Sequence, residues 1–167
     1  PGKLRGMAVG DLVTERVRLM PPARRDAAIA DMVASPAFRV LVEDRLKDAY
    51  LPVAHLPAAV VERFGAGSGV VNLSTASVRH ILDERAERGL TAADFRQALT
   101  AIAAPDAAVP RGKVVVLLAK IGGRWWRATV KRVPGADEWW LVSLHPKSAG
   151  DARSFIRSAR RRGDLIE

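Results

Sequence analysis

The sequence predicts an α+β protein in which helices precede an antiparallel sheet of three to four strands and a last helix closes the chain. Three observations lead there. Apolar residues recur mainly at helical spacing up to about residue 103, they alternate with a period of two between Lys113 and Leu144, and a helical period returns after Asp151. Hydrophobic residues make up 49% of the chain and charged residues 27%, the balance of a globular protein. The longest apolar runs, such as Val114 to Ala119, fall far short of the ~20 residues a membrane helix needs.

The first 22 residues end in Met20-Pro21-Pro22 and show no long apolar period, so an extended or partly helical lead-in is expected. A helix follows from Arg24 to Val33. Ser35-Pro36 then places a capping residue before a proline at the first helical position, which predicts a second helix with Phe38, Leu41, Val42 and Leu46 on its apolar side. The stretch 51–69 carries Pro52, Pro57 and three glycines and reads as a linker between a helical extension, 1–50, and a domain, 70–167. His55, in that linker, lacks a second ligand at metal-site spacing and reads as a packing or surface residue.

Val70 to Leu73 reads as a short strand, and Ser74 or Thr75 can cap a helix running to about Arg88 with Val78, Ile81 and Leu82 buried. Gly89 suits its C-terminus. Thr91 and Asp94 resemble a capping box for a helix over 92–103 that buries Phe95, Leu99 and Ile102. Three strands then form a meander, at Lys113 to Ile121, Arg124 to Val133 and Glu138 to Leu144, joined by Gly122-Gly123 and by Pro134 to Asp137. The final helix, Asp151 to Arg162, buries Phe155 and Ile156 and turns Arg153, Arg157, Arg160 and Arg161 outward. The expected architecture is a sheet covered by helices on one face and open on the other.

The net charge of +9 is concentrated at one end: residues 110–167 hold 13 Lys/Arg against 5 Asp/Glu, whereas the first 109 hold 14 against 13. A local surplus of this kind favours a polyanionic partner, RNA above all, although an arginine-rich solvated surface has the same composition. With no cysteine the chain has neither disulfides nor thiolate metal sites, no motif calls for a cofactor, and no secretory signal opens the sequence, so the cytoplasm is the expected compartment.

Alternation along the central strand puts Trp126, Ala128 and Val130 on one side and Trp125, Arg127, Thr129 and Lys131 on the other. With a regular register, Trp140, Val142 and Leu144 of the next strand are core, and Trp139, Leu141, Ser143 and His145 share the open face with Arg127 and Lys131. Arginine and lysine beside a phosphodiester stabilise the charge of its pentavalent transition state, and a histidine can move protons near neutral pH. His80, Arg127, Lys131, Ser143 and His145 are therefore the candidate catalytic residues for RNA cleavage without a metal. His80 and His145 would serve as the acid and base if the helix of His80 brings its ring to the sheet edge. Lys120, Arg124, Lys147, Arg153 and Arg157 are candidates for phosphate contact, and Trp125 and Trp139 for stacking on bases unless either is buried against a helix. None of these spacings is a sharp motif.

The segments Leu51-Pro52-Val53-Ala54, Val70-Val71-Asn72-Leu73-Ser74, Leu90-Thr91-Ala92-Ala93-Asp94-Phe95 and Gly123-Arg124-Trp125-Trp126-Arg127-Ala128-Thr129-Val130-Lys131-Arg132 occur in an order that resembles a known family. It is the phage-associated nuclease-like domains of the barnase, EndoU, colicin and RelE (BECR) superfamily, as found at the C-terminus of Mu-like phage head morphogenesis proteins. The resemblance covers about residues 51–167. It implies an α+β fold and an ancestral metal-independent RNA hydrolase, and it places Arg127 and Lys131 on the basic strand, Ser143 and His145 at the end of the next, and His80 on the helix. The chain departs from the family where a histidine-proline pair is expected at the end of that helix and the sequence reads Arg85-Ala86-Glu87-Arg88.

Three functions follow as expectations. One is an endoribonuclease-like domain acting on RNA, tRNA being one candidate. The second is a non-catalytic phage head or packaging module that uses the same face for nucleic acid or structural proteins, located in the host cytoplasm or the phage particle. The third is a toxin-type effector whose helical extension docks a partner such as an immunity protein.

Overall fold

The structure is a computed structural model that describes residues 2–43, 48–65, 67–84, 92–135 and 137–167. It is α+β, with helices on both sides of a six-stranded mixed sheet. In chain order the elements are α1 (Gly2–Arg18), α2 (Pro22–Ala34), α3 (Pro36–Glu43), β1 (Tyr50–His55), α4 (Ala58–Arg63), β2 (Val70–Ser74) and α5 (Thr75–Glu84). Then come α6 (Ala92–Ala98), α7 (Thr100–Ala103), β3 (Ala107–Arg111), β4 (Val114–Ile121), β5 (Arg124–Arg132), β6 (Trp139–Lys147) and α8 (Ala149–Arg162).

The expected meander is present as β4-β5-β6, and the strand order is β1-β2-β6-β5-β4-β3. All neighbours are antiparallel except β2 and β6, which run parallel through Val71 opposite Trp139 and Asn72 opposite Trp140. The two strands that sequence patterning did not anticipate, β1 and β3, are the two edges, and each contains a proline, Pro52 and Pro110. Proline cannot donate to a ladder and so breaks a strand pattern, but at an edge one side of the backbone has no strand to pair with. The supposed linker 51–69 accordingly holds β1 and α4. Pro146 in β6 obeys the same rule, because the β2 ladder stops at Trp140 and leaves the far part of β6 without a strand on that side.

Two other expectations are corrected. The lead-in is a 17-residue helix, α1, which docks through Gly10 and Thr14 and buries Val17 in the core. Thr14 donates to Asn72 Oδ1 at 3.0 Å with both residues buried, and Gly10 lies so close that a Cβ there would stand 2.8 Å from the Tyr50 carbonyl oxygen. Nor is the second sheet face bare. Ala107, Val109, Val116 and Leu118 are buried on it, outside the main core cluster, beneath α8 with its buried Ala152 and Ala159. The capping expected at Thr91, the helix end near Gly89 and the segment Arg85 to Arg88 lie outside the described residues.

The main core joins Phe38, Leu41 and Val42 of α3, Val78 and Ile81 of α5, Phe95 of α6 and Ile102 of α7 to Leu117, Trp126, Ala128, Leu141 and Leu144 of the sheet. Local chemistry agrees with these boundaries. Ser74 Oγ accepts from the backbone N–H of Ser77 at the start of α5, Ser148 Oγ accepts from that of Asp151 at the start of α8, and Gly163 ends α8 at φ 72°, a left-handed conformation that favours glycine.

The register of β6 differs from the regular alternation. Thr129 faces Ser143 and Val130 faces Leu141, so Val142 is an extra residue, a β-bulge that reverses the alternation N-terminal to it. Trp139 and Leu141 thereby enter the core, where Trp139 is 2% exposed, packs edge-on to Phe64 at 5.3 Å and lies under the Arg132 guanidinium. Trp140 is turned to the opposite face. We predict that Trp139→Ala lowers unfolding free energy by about 3–5 kcal/mol, as for other buried aromatics, whereas Trp125→Ala, at a half-buried position, costs clearly less. Denaturant titration of the two variants measures the difference.

Candidate nucleic-acid interface

On the face that carries α1 and α8, strand pairing lines up the side chains in rows. Lys120, Trp125 and Lys147 form one row, Leu118, Arg127 and His145 the next, Val116, Thr129 and Ser143 a third, and Val114, Lys131 and Trp140 a fourth. Antiparallel neighbours of this kind stand about 5 Å apart at Cβ, so Arg127 with His145, and Thr129 with Ser143, are within side-chain reach. Helix α1 bounds this surface over β1 and β2, and α8 bounds it over β3 to β5, leaving β6 along the floor between them.

Arg127 and His145 are not on a freely solvated surface. His145 is 8% exposed, and the Arg127 guanidinium lies 5.3 Å from the centre of the Phe155 ring. Arg111 approaches the same ring at 5.0 Å, so one phenyl group of α8 is contacted by two cations. Burial lowers the pKa of Arg127 from its ordinary value, and the positive charge of Arg111 lowers it further. Both causes disfavour the charged form, a penalty that a neighbouring anion would offset. Lys131 and Lys120 are exposed, Lys147 and Trp125 half-buried, and Arg153 and Arg157 project from the exposed side of α8, where Arg160 and Arg161 extend the row.

Three proposed positions are elsewhere. Trp139 is a core residue because of the bulge, so it cannot stack on a base. Arg124 shares the parity of Trp126 and lies over that indole at 4.9 Å, on the opposite side from Arg127. His80 is on the exposed surface of α5, which packs along β6, whereas His145 is buried in the sheet. The patterning in turn missed Arg111, on an edge strand that was not foreseen, and Trp140, which regular alternation assigned to the core. His55 bridges Asp26 through Nδ1 at 3.2 Å and the Ser68 carbonyl through Nε2 at 2.8 Å, a packing role.

At the α1 side of the floor, Trp140 donates from Nε1 to Glu138 at 2.6 Å and meets Tyr50 edge-to-face at 5.0 Å, while the Tyr50 hydroxyl donates to Asp11. Burial raises the Tyr50 pKa well above the ordinary phenol value, with the hydrogen bond to Asp11 adding to it. Among the described residues no group of three or more His, Asp or Glu side chains is placed to hold a metal ion, and no helix is long and apolar enough to cross a membrane.

Comparison of the chain with protein families, with curated proteins and with solved structures finds no match.

Tyr50 is the single tyrosine, so its ionisation is visible by ultraviolet absorbance without interference from another phenol. The folded pKa is raised, so the stability it contributes is present below the unfolded value near pH 10 and is lost as pH rises above it toward the folded value. The native protein is expected to show no phenolate at pH 10, where the denatured chain is half ionised, and Asp11→Asn is expected to move the native titration toward the ordinary range.

Proposed function

We propose that the protein binds RNA on the sheet face between α1 and α8 and cleaves it without a metal, as a domain of the BECR nuclease type. The observation that supports this best is the alignment of Arg127, Lys131, Ser143 and His145 on adjacent strands, beneath a surface whose cations far outnumber its acids. A phosphodiester over this floor would meet Arg127 and Lys131 at its non-bridging oxygens. There the two cations would stabilise the added charge of the pentavalent transition state. His145, beside Arg127, is suited to take or give the proton of a ribose hydroxyl, with Ser143 as a hydrogen-bond donor to the phosphate. Cleavage then leaves a cyclic phosphate and a free ribose hydroxyl, with no water needed in the first step. RNA with a splayed strand fits better than a duplex, because the floor is a narrow strip between two helices and carries Trp125 and Trp140 as ring surfaces.

A second reading, a phage head or packaging module that only binds nucleic acid, is favoured by the Phe155 ring, which covers the Arg127 guanidinium. A toxin-type role has no comparable support beyond the presence of α1.

Incubation of the protein with total tRNA and with a single-stranded RNA in EDTA tests the proposal. Discrete products that disappear in His145→Ala, with RNA affinity kept within a few-fold, are expected, and undiminished cleavage by that variant would remove His145 from the mechanism. Lys131→Ala and Lys147→Ala are each expected to reduce the salt slope of RNA binding by about 0.7, the value for one single-strand phosphate contact. Salt-sensitive binding with no cleavage by the wild type would support the second reading.

A further inference from the structure

Two adjoining cavities open beside the candidate catalytic floor, of 440 and 380 Å³, and share four lining residues, Asp11, Tyr50, Glu138 and Trp140. Their chemistry is opposite to that of the basic surface around them. The two aromatic rings are already oriented: Trp140 by its bond to Glu138, Tyr50 by its bond to Asp11, and each by the other in an edge-to-face pair, with both residues half-buried at the cavity walls. Each carboxylate spends one oxygen on its ring and keeps the other as an acceptor. Among the described residues neither Asp11 nor Glu138 is paired with a cation, and the nearby Arg18 is taken by Glu15 at 3.6 Å and Asp137 at 3.9 Å. Asn72, 2% exposed, lines the larger cavity and accepts from Thr14.

Beyond this acidic and aromatic centre the charge reverses. Lys131 is the cross-strand neighbour of Trp140 and is exposed, and Arg79 of α5 lines the smaller cavity. A ligand matched to both zones has a flat ring with N–H donors at one end and an anion at the other. Inorganic phosphate would be repelled by the carboxylates, and an aliphatic group would leave them without donors.

We propose that these cavities are a nucleobase subsite selective for bases that carry an exocyclic amino group. The inference rests on the RNA reading of the adjacent face and adds to it which base is taken beside the phosphate on Lys131. Adenine, cytosine and guanine each present an amino group to a carboxylate acceptor, and guanine adds an imino N–H next to it. Uracil presents one imino N–H between two carbonyl oxygens, which face carboxylate oxygens unfavourably. The ring would stack on Trp140, and Glu138 and Asp11 would take the N–H donors.

Equilibrium binding of guanosine, adenosine, cytidine and uridine monophosphates to the full chain, followed by tryptophan fluorescence and calorimetry, tests this. The amino-bearing nucleotides are expected to bind at least tenfold more tightly than uridine monophosphate. Glu138→Gln, which keeps size and shape, should remove most of that preference, and Trp140→Ala should weaken all four by about ten- to a hundredfold, the contribution of one stacked base. Unchanged near-ultraviolet dichroism of Glu138→Gln establishes that the fold is retained, so the result does not depend on the larger substitution. Equal affinity for all four nucleotides, or a preference that survives Glu138→Gln, overturns the proposal. If no mononucleotide binds while RNA still does, the subsite falls and the RNA face stands. If neither binds, both fall together.

Discussion

The bulge at Val142 sets which side chains of β6 reach which side of the sheet, and both the core and the basic face depend on it. On the N-terminal side of Val142 the strand directs Trp139 and Leu141 inward, against Phe64 and the helices. On the C-terminal side Leu144 takes the inward position, and Ser143, His145 and Lys147 line up with Thr129, Arg127 and Trp125. Without the extra residue the two halves of β6 could not both bury their large apolar groups, because side-chain direction in a strand has a strict period of two. The large apolar surface of Trp139 makes this bulge worth its broken ladder.

The sheet is thus asymmetric in what covers its two faces. One carries the main core. The other is roofed at its two ends by helices of different character, α1 attached through Thr14, Gly10 and the Asp11–Tyr50 bond, α8 through Ala152, Ala159 and Phe155. Besides the buried Val17, α1 presents polar groups where the residues beneath it, Asn72 and Tyr50, are polar, since a buried amide is stable only with its hydrogen bond made. Arg111 and Arg127 both lie over the Phe155 ring, whose negative face attracts the two cations. Between these roofs lies a strip whose charge changes sign along its length, from Lys120 and Lys147 to the carboxylates of Asp11 and Glu138. That change of sign is what the proposed RNA-binding function rests on, since phosphates and donor-bearing bases differ in the same sense.

What the sequence by itself determined is the part governed by local period and local caps. Helices α2, α3, α5 and α8, the strands β2, β4, β5 and β6, and the placement of Arg127 and Lys131 opposite Trp126 and Ala128 all follow from side-chain direction along a single element and from Ser35 and Ser74 at helix starts. Tertiary structure alone decided the rest. Pro52 and Pro110 are acceptable because β1 and β3 are edges, and a residue's place at an edge is a property of the whole sheet. Trp139 and Trp140 exchanged roles because a bulge is a relation between two strands. Helix α1 stays on the sheet through contacts across 58 residues of sequence, from Thr14 to Asn72, which no local pattern records. The phasing of side chains within an element is a local matter, whereas pairing, edge position and the covering of a face are free energies shared between segments distant in the chain.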